Sequence, residues 1–531
     1  MVTELENNLL QRVALGDVFR RQARHIPHRE AIVENRGDKR ISLDYKTLNA
    51  QINRFATALR NLGLKKGDKV ASVGPNSWEI VVAFYGCAKG GFIAVPLNPR
   101  LGPDDLAYML NHSEAKAIVV DDALCLLIDK VKEKCETLKH FVSIPGTGSK
   151  TPPYFVDFNE FLDGQSDAEI TEVIWERDPF AVLYTSGTTA RPKGIALSHL
   201  SFYIMSLTNL IELKIFREHT GAIVMPMFHC AQQTLTTSLL HTGSKAVIFR
   251  SFDPTFMLEA IQAEKIGFLF LLPLMWRAML DHPRLKEYDV SSVKGCLYAM
   301  TPMDKRTLGQ CMETFGPNFM LGTGQTEFFP SSENFKPEWQ LKKMGNYWGE
   351  PALTVETAIM DEDGNLVPQG EIGEIVRRGP AHLIEYLKDP EATNEIRKFG
   401  WAHSGDLGYF DEDGLLAFVD RKKDMIKTGG ENVPSIKVEQ VILADPRVAE
   451  VVVVGLPHDT WIEAVTAFVV PKENIALSEE DVIALCKRDL GGFEVPKRVV
   501  IVDQLPKTAT GKLQKNLVKQ QYKNLYQSVA Q

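Results

Sequence analysis

Short apolar runs separated by stretches of helical period limit this chain's fold more than any other feature. Ile52, Phe55, Ala56 and Leu59 fall at helical spacing, and an apolar run at 70–73 follows after Gly67-Asp68. Pro75-Asn76-Ser77 then breaks the chain, and Asn76 or Ser77 is a cap for the next helix, which runs toward Gly90-Gly91. Apolar runs at 92–95 and 117–120 come next, and the rhythm returns at 180–184, 222–225, 246–249 and 268–272. Strands that alternate with helices are βαβ units, whose strands pair in parallel. The expected fold class is α/β, with a large N-terminal domain of parallel-rich sheets covered by helices.

The last hundred or so residues break this rhythm and read as a small α+β domain. It follows the charged stretch Asp420-Arg421-Lys422-Lys423-Asp424. Runs at 451–454, 466–470 and 498–502 read as strands. Ser478 caps a helix with Asp481 three residues on, and Ile483, Cys486 and Leu490 form its apolar side. The expected domains are 1–422 and 423–531, and no repeat or low-complexity stretch interrupts them.

Composition removes several function classes. The hydrophobic share is 44%, enough for a large core, so disorder and fibrous folds are excluded as the main theme. A net charge of −8 argues against nucleic acid as a partner, which wants a basic surface. The cysteines are scattered with no CxxC pair, which reads as reduced thiols in a cytoplasmic protein. The N-terminus MVTELENNLL lacks the basic-then-apolar pattern of a signal peptide. The strongest apolar run lies between Lys265 and Arg277 and contains Gly267 and Pro273. That is well short of the ~20 residues of a spanning helix, so no stable membrane insertion is expected.

The most informative segment is Tyr184-Thr185-Ser186-Gly187-Thr188-Thr189-Ala190-Arg191-Pro192-Lys193-Gly194. It follows a buried strand. Gly187 and Gly194 allow close backbone approach, the hydroxyls of Thr185, Ser186, Thr188 and Thr189 can donate to phosphate oxygens, and Lys193 adds a charge. It is not a Walker A loop, because Gly194 follows Lys193 where that motif has Ser or Thr. Composition alone reads the same residues equally well as a polar surface turn.

In order, this segment and four others resemble the adenylate-forming superfamily of acyl-CoA synthetases, peptide-synthetase adenylation domains and luciferases. The first is similar to its phosphate loop, YTSGTTGxPKG, with Ala190 in place of a glycine. Thr323-Gly324-Gln325-Thr326-Glu327 resembles YGxTE, and Trp401-Ala402-His403-Ser404-Gly405-Asp406-Leu407-Gly408 resembles GWxxTGDxG. Asp420–Ile426 resembles the hinge motif and is followed by Gly429-Gly430-Glu431. Pro506-Lys507-Thr508-Ala509-Thr510-Gly511-Lys512 resembles the C-terminal PxTxTGK loop. The resemblance covers about residues 15–525.

The resemblance implies an acid–CoA ligase that uses ATP, Mg2+ and coenzyme A, with a carboxylic acid and CoA as small-molecule partners and room for a homodimer. It carries ATP or AMP contacts to Thr185, Ser186, Gly187, Thr188, Thr189, Lys193, Thr301, Gly324, Gln325, Thr326, Asp406, Arg421 and Lys512. Thr188, Glu327 and Lys512 stand as catalytic, with Glu327 the magnesium ligand and Asp406 and Arg421 on the ribose. Lys512 would swing in for adenylation as a mobile small domain closes, and Lys423 is the hinge about which that domain turns. Gly429, Gly430 and Glu431 would then line the CoA tunnel. Gly322, Met300 and His229 border the acyl pocket, although His229 reads equally well as a core histidine.

The chain also departs from the pattern. Thr323 stands where an aromatic ring stacks on adenine, and Ala299, Met300 and Thr301 replace the small residues of the GGAP stretch. Glu494 stands near a position often held by lysine. Met300 narrows the expected acid to a short, medium or narrow one. No basic residue at 298–303 or 225–233 offers a counter-charge, so a monocarboxylate is expected. Trp461 and His458 receive no role. An acyl-adenylate ligase serving a carrier protein is the alternative enzyme, disfavoured because no carrier domain follows Lys512. A nucleotide-binding homologue without catalysis is the contrasting class.

Overall fold

The computed structural model describes residues 2–185, 191–299, 302–343, 345–507 and 513–526. Its contacts divide the chain into two compact units. The first comprises Met1–Thr185, Pro192–Thr357 and Arg377–Ala402, and the second chiefly Ala358–Val376 and His403–Gln531.

The first unit is built on two sheets whose strands come from alternating strand–helix segments. In one, parallel pairs join Phe319–Thr323, Gly295–Tyr298, Ile266–Phe270, Thr220–Ile223, Lys245–Ile248 and Glu30–Arg36 in that order. In the other, Pro179–Thr185, Ile93–Leu97, Lys69–Val73, Ala115–Asp121 and His140–Ile144 are likewise parallel. Helix Tyr45–Asn61 buries Ile52, Phe55, Ala56 and Leu59, the residues that fall at helical spacing. Every residue of the next helix, Trp78–Gly90, is buried. Its middle, 80–88, has no charged residue on any side, so it lies inside the protein. Glu79 and Lys89 at its ends are paired with Arg36 and Glu169. The two helices pack so closely that a methyl on Gly86 would come within 2.6 Å of the Phe55 ring. Truncating a buried Phe such as Phe55 to Ala costs about 3–5 kcal/mol.

Local signals resolve into particular residues. Ser77, not Asn76, caps the Trp78–Gly90 helix, its Oγ accepting from the Ile80 amide at 3.3 Å. Gly91 ends that helix at φ +73°, where a side chain would be strained. The apolar run between Lys265 and Arg277 is two elements. Strand Ile266–Phe270 stops before Pro273, which starts helix Pro273–Leu280 from a position where its missing amide costs nothing. Among the described residues no helix is long and apolar enough to cross a membrane.

In the second unit, Val448–His458 and Ile462–Pro471 form a long antiparallel hairpin. Ile426–Thr428 and Arg498–Ile501 flank Ile462–Pro471. The Ser478 capping box is present, and Val482 and Cys486 are the buried face of the helix it starts. Residues 403–422 group with this unit, upstream of the boundary that the sequence places at Lys423. Ala402–Phe410 and Leu416–Arg421 pair antiparallel, and the Asp420 carboxylate accepts from the Ser435 amide and hydroxyl at 2.6 and 2.7 Å.

Candidate active site

Strands Pro179–Thr185 and Lys193–Ser198 are antiparallel neighbours, with Thr185 opposite Lys193. The two ends of the phosphate-loop segment are therefore held at one rung of a sheet. Ser186, Gly187, Thr188 and Thr189 between them, and Met300, Thr301 and Lys512 elsewhere, lie outside the described residues. Strand Glu385–Tyr386 adds to the free edge of Lys193–Ser198, with Tyr386 opposite Ile195. The Leu387 amide donates to the Gly194 carbonyl at 2.8 Å. This short strand brings Tyr386 and Asp389 to Lys193. The lysine Nζ is 3.4 Å from Asp389 Oδ2 and 4.8 Å from the centre of the Tyr386 ring. Side-chain exposures of 44% and 39% make this ion pair worth at most about 1 kcal/mol. A phosphate can take the ammonium from Asp389 at small cost. Asp389 has a second role as N-cap of helix Pro390–Glu395. The Ala392 amide it accepts holds its carboxyl below the usual range, and Lys193 adds to that.

The Tyr386 hydroxyl donates to Glu327 Oε1 at 3.0 Å. Burial, and then the Glu327 charge, push the phenol's pKa well up, so it stays a donor. Glu327 sits in the short turn Thr326–Phe328, whose carbonyl at 327 accepts the Leu383 amide at 2.8 Å. A carboxylate fixed by one hydrogen bond, beside a phosphate-loop lysine, fits the hard oxygen ligand that magnesium takes. Gly324 must be glycine on local grounds, since a methyl there would lie 2.5 Å from Pro330 Cβ.

His229 is joined to this loop. The Thr326 hydroxyl donates to Cys230 Sγ at 3.3 Å, and that sulfur is 3.6 Å from His229 Nδ1. His229 is exposed, not a core histidine, and caps helix Cys230–Thr242 by accepting the Ala231 amide on Nδ1. An accepting Nδ1 puts the neutral ring's proton on Nε2. The backbone leading to His229 is clamped by Asn76. Its Oδ1 accepts the Met227 amide at 2.8 Å, and its Nδ2 donates to the Met225 carbonyl at 2.9 Å.

Gly322 and Thr323 lie on Phe319–Thr323, opposite Asn334 and Glu333. A methyl on Gly322 would stand 3.0 Å from Leu297 Cδ1. Thr323 shares its face with Glu333, which forms a two-pronged, fully buried pair with Arg377 at 2.7 and 2.9 Å. The side chain across from Thr323 is therefore one half of a buried ion pair.

In the second unit Asp406 and Arg421 are directly opposed, with Arg421 Nε 3.7 Å from Asp406 Oδ1. That is an ion pair and too long for a hydrogen bond. Asp406 is buried and Arg421 half-exposed, an acceptor and a donor on one edge that suit a pair of hydroxyls. Lys423 is exposed two residues on. Gly429 and Gly430, at φ +59° and +91°, form the two-residue turn between Ile426–Thr428 and Glu431–Val433. A type I′ hairpin needs positive φ at both positions, so the turn alone accounts for both glycines. A side chain on Gly429 would also meet Trp461 at 2.9 Å. Glu494 accepts from Lys437 and the Gly491 amide within its own unit. The flanks of the Lys512 segment are tied by a bridge between Lys507 and Leu513 and a 2.9 Å bond from the Gln514 amide to the Pro506 carbonyl.

Tyr386, Asp389, Asn76 and Cys230 are not among the site residues expected from the sequence. Asp389-Pro390 is a visible helix start, and Asn76 a visible cap candidate. Neither signal tells which distant segment the side chain meets.

Residues 19–387 match the AMP-binding enzyme family, and residues 437–512 match the AMP-binding enzyme C-terminal domain. The chain is 31% identical over 509 residues to a feruloyl-CoA synthase of Amycolatopsis sp, covering 96% of this chain and 99% of that one. It is 30% identical over 511 residues to long-chain-fatty-acid–CoA ligase FadD13 of Mycobacterium tuberculosis, covering 96% and 98%. The crystal structure of ATP-bound MatB from Rhodopseudomonas palustris superposes with a TM-score of 0.85 at 28% identity, over 96% of this chain and all of that one.

Proposed function

The chain belongs to the AMP-binding enzyme family as an AMP-forming acyl-CoA synthetase, and from that premise we propose that it activates a short, medium-chain or narrow monocarboxylic acid. The co-substrates are ATP and CoA, with Mg2+ as the metal of the class.

The observation that carries the reading is the cluster of Lys193, Tyr386, Asp389 and Glu327 at the mouth of the phosphate-loop hairpin. In the first half-reaction a carboxylate oxygen of the acid attacks the α-phosphorus of ATP, and pyrophosphate leaves with the bond's electron pair. Negative charge gathers on the phosphate oxygens. Lys193 meets it by leaving Asp389, and the hydroxyls of the loop and Lys512 add donors. Glu327 would hold the magnesium ion, which would add further charge neutralisation. Tyr386 holds the Glu327 carboxylate in one orientation. In the second half-reaction the CoA sulfur, having lost its proton, attacks the acyl carbon and AMP leaves. Lys423 is proposed as the pivot between the two arrangements, Asp406 and Arg421 as ribose contacts, and the Gly429–Glu431 turn as a wall of the thiol path.

Relatives are named for a feruloyl acid and for long-chain fatty acids. Met300 in place of a small residue of the GGAP stretch, which the family resemblance sets along the acid, supports a small or narrow one. A cytoplasmic location is proposed from the free cysteines, which are all buried and unbridged. The test is pyrophosphate release with ATP and a chain-length panel of acids, with and without CoA. Acid-dependent release followed by a CoA thioester supports the ligase. Release with no thioester points to a carrier-protein acceptor, and ATP binding without release to a homologue that lacks catalysis. Sedimentation of the same sample reads whether it is a homodimer.

A further inference from the structure

The strand Phe319–Thr323 has two different faces. Phe319 and Leu321 are buried, whereas Met320 and Gly322 are half-buried although the strand runs through the middle of its sheet. Leu297 and half-buried Met320 and Ala299 belong to one apolar cluster, and Gly322 lies against Leu297. This face is thus partly accessible at Met320 and Gly322. It is the face on which Gly322 is proposed to border the acid.

Asn334 shares it. In an antiparallel pair, directly opposed residues stand on the same side, and Asn334 is opposite Gly322. Glycine projects nothing, so the carboxamide has no side chain across from it. Asn334 is 1% exposed, yet neither its nitrogen nor its oxygen has a hydrogen-bond partner among the described residues. Two residues earlier, fully buried Ser332 Oγ also has none among them. Nearby polar groups are already occupied. Ser331 donates to Asn209 Oδ1 at 3.0 Å, and Asn209 donates to Thr234 and Ser238. Glu350, the next residue across on the Asn334 face, is held by the Lys336 ammonium. A buried amide with both atoms unpaired is rare and needs a partner.

We propose that Asn334 is a specificity-determining residue of the acyl site, and that the acid is a hydroxy-substituted monocarboxylate whose hydroxyl pairs with its carboxamide. The inference rests on the ligase reading above. A hydroxyl both donates and accepts, so one substituent can answer the amide's oxygen or its nitrogen. An alkyl chain would leave the amide buried and unpaired, and a site built around a hydrogen bond rejects an analogue that lacks it.

The experiment compares straight-chain acids with and without a terminal hydroxyl, in wild type and in Asn334→Leu, by pyrophosphate release and by acid-induced change in Tm. Wild type should favour the hydroxy acid of the best-fitting length by roughly 10- to 100-fold in kcat/KM. Asn334→Leu should lose that preference and gain on the plain acid. Equal kcat/KM for both members of every pair in wild type overturns the proposal, and a buried water on Asn334 would give that result. The wild-type comparison stands even where the variant fails to fold. If no acid releases pyrophosphate, the ligase reading fails separately. The proposal is then decided by Tm, upheld if hydroxy acids alone stabilise wild type and overturned if they do not.

Discussion

Replacing Tyr386 by Phe removes one oxygen from the centre of the proposed ATP site and keeps nearly everything else. The ring that lies 4.8 Å from Lys193 remains, and so does the strand pairing opposite Ile195. What is lost is the 3.0 Å bond to Glu327 Oε1. A hydrogen bond to a charged group is worth about 1.5–3 kcal/mol, and at 1.4 kcal/mol per decade that is a loss of roughly 10- to 150-fold. The loss should fall on acyl-adenylate formation, because Glu327 is placed there by the hydroxyl. The variant should need more magnesium for half-maximal rate, while its Tm stays within a few degrees of wild type. The assay is single-turnover pyrophosphate release across a magnesium titration, beside thiolysis of supplied acyl adenylate. Thiolysis should be nearly unchanged. A variant that adenylates at the wild-type rate, or that loses both half-reactions equally, would refute the role given to this hydroxyl.

Lys512→Ala should abolish adenylation, at a cost on the order of 3–4 kcal/mol, while thiolysis of supplied acyl adenylate survives; matched loss in both steps would argue against a moving lysine. Lys423→Pro should affect the two half-reactions very unequally, because proline fixes φ at the proposed pivot. Normal turnover with CoA would remove Lys423 from that role. His199 is buried, accepts the Leu15 amide on Nδ1, and has its pKa pushed down from 6.5 to about 4 by burial. The unfolded chain takes up that proton first, so the histidine's contribution is whole above pH 6.5 and shrinks as pH falls toward 4. Roughly 3 kcal/mol is lost across that window, and His199→Asn should flatten the fall in Tm between those pH values.

Features set by neighbours in sequence were the ones legible without coordinates. The period of Ile52, Phe55, Ala56 and Leu59 gives helix Tyr45–Asn61, and Ser478 with Asp481 gives a capping box. The hydroxyl-rich loop with its glycines was equally plain, and its ends do meet across a hairpin. Long-range pairing was not legible. Tyr386 acquires its meaning from a two-residue strand laid against Lys193–Ser198, and nothing in residues 385–386 names that partner. Asn76 reads as a cap, but its amide is used on the Met225–Met227 backbone while Ser77 caps the helix. The apolar run between Lys265 and Arg277 hides a strand end, because hydrophobicity is continuous across it and only Pro273 marks the change. Asn334 carries no local signal, since a buried amide between Glu333 and Phe335 becomes notable only when its partners are sought.

The strand Glu385–Tyr386 sets a limit on how this protein can vary. Its alignment against Ile195 and Ala196 is pinned by two opposed pairs and by amides at 384 and 387 that donate to Ala196 and Gly194. Side chains on a strand alternate, so slipping by one residue would turn the Tyr386 hydroxyl to the opposite face. Adding or deleting a single residue between Leu383 and Asp389 would therefore cost little of the buried core, yet would uncouple Glu327 from Lys193. Length in that short stretch is a tighter constraint on activity than the chemical identity of most residues in it.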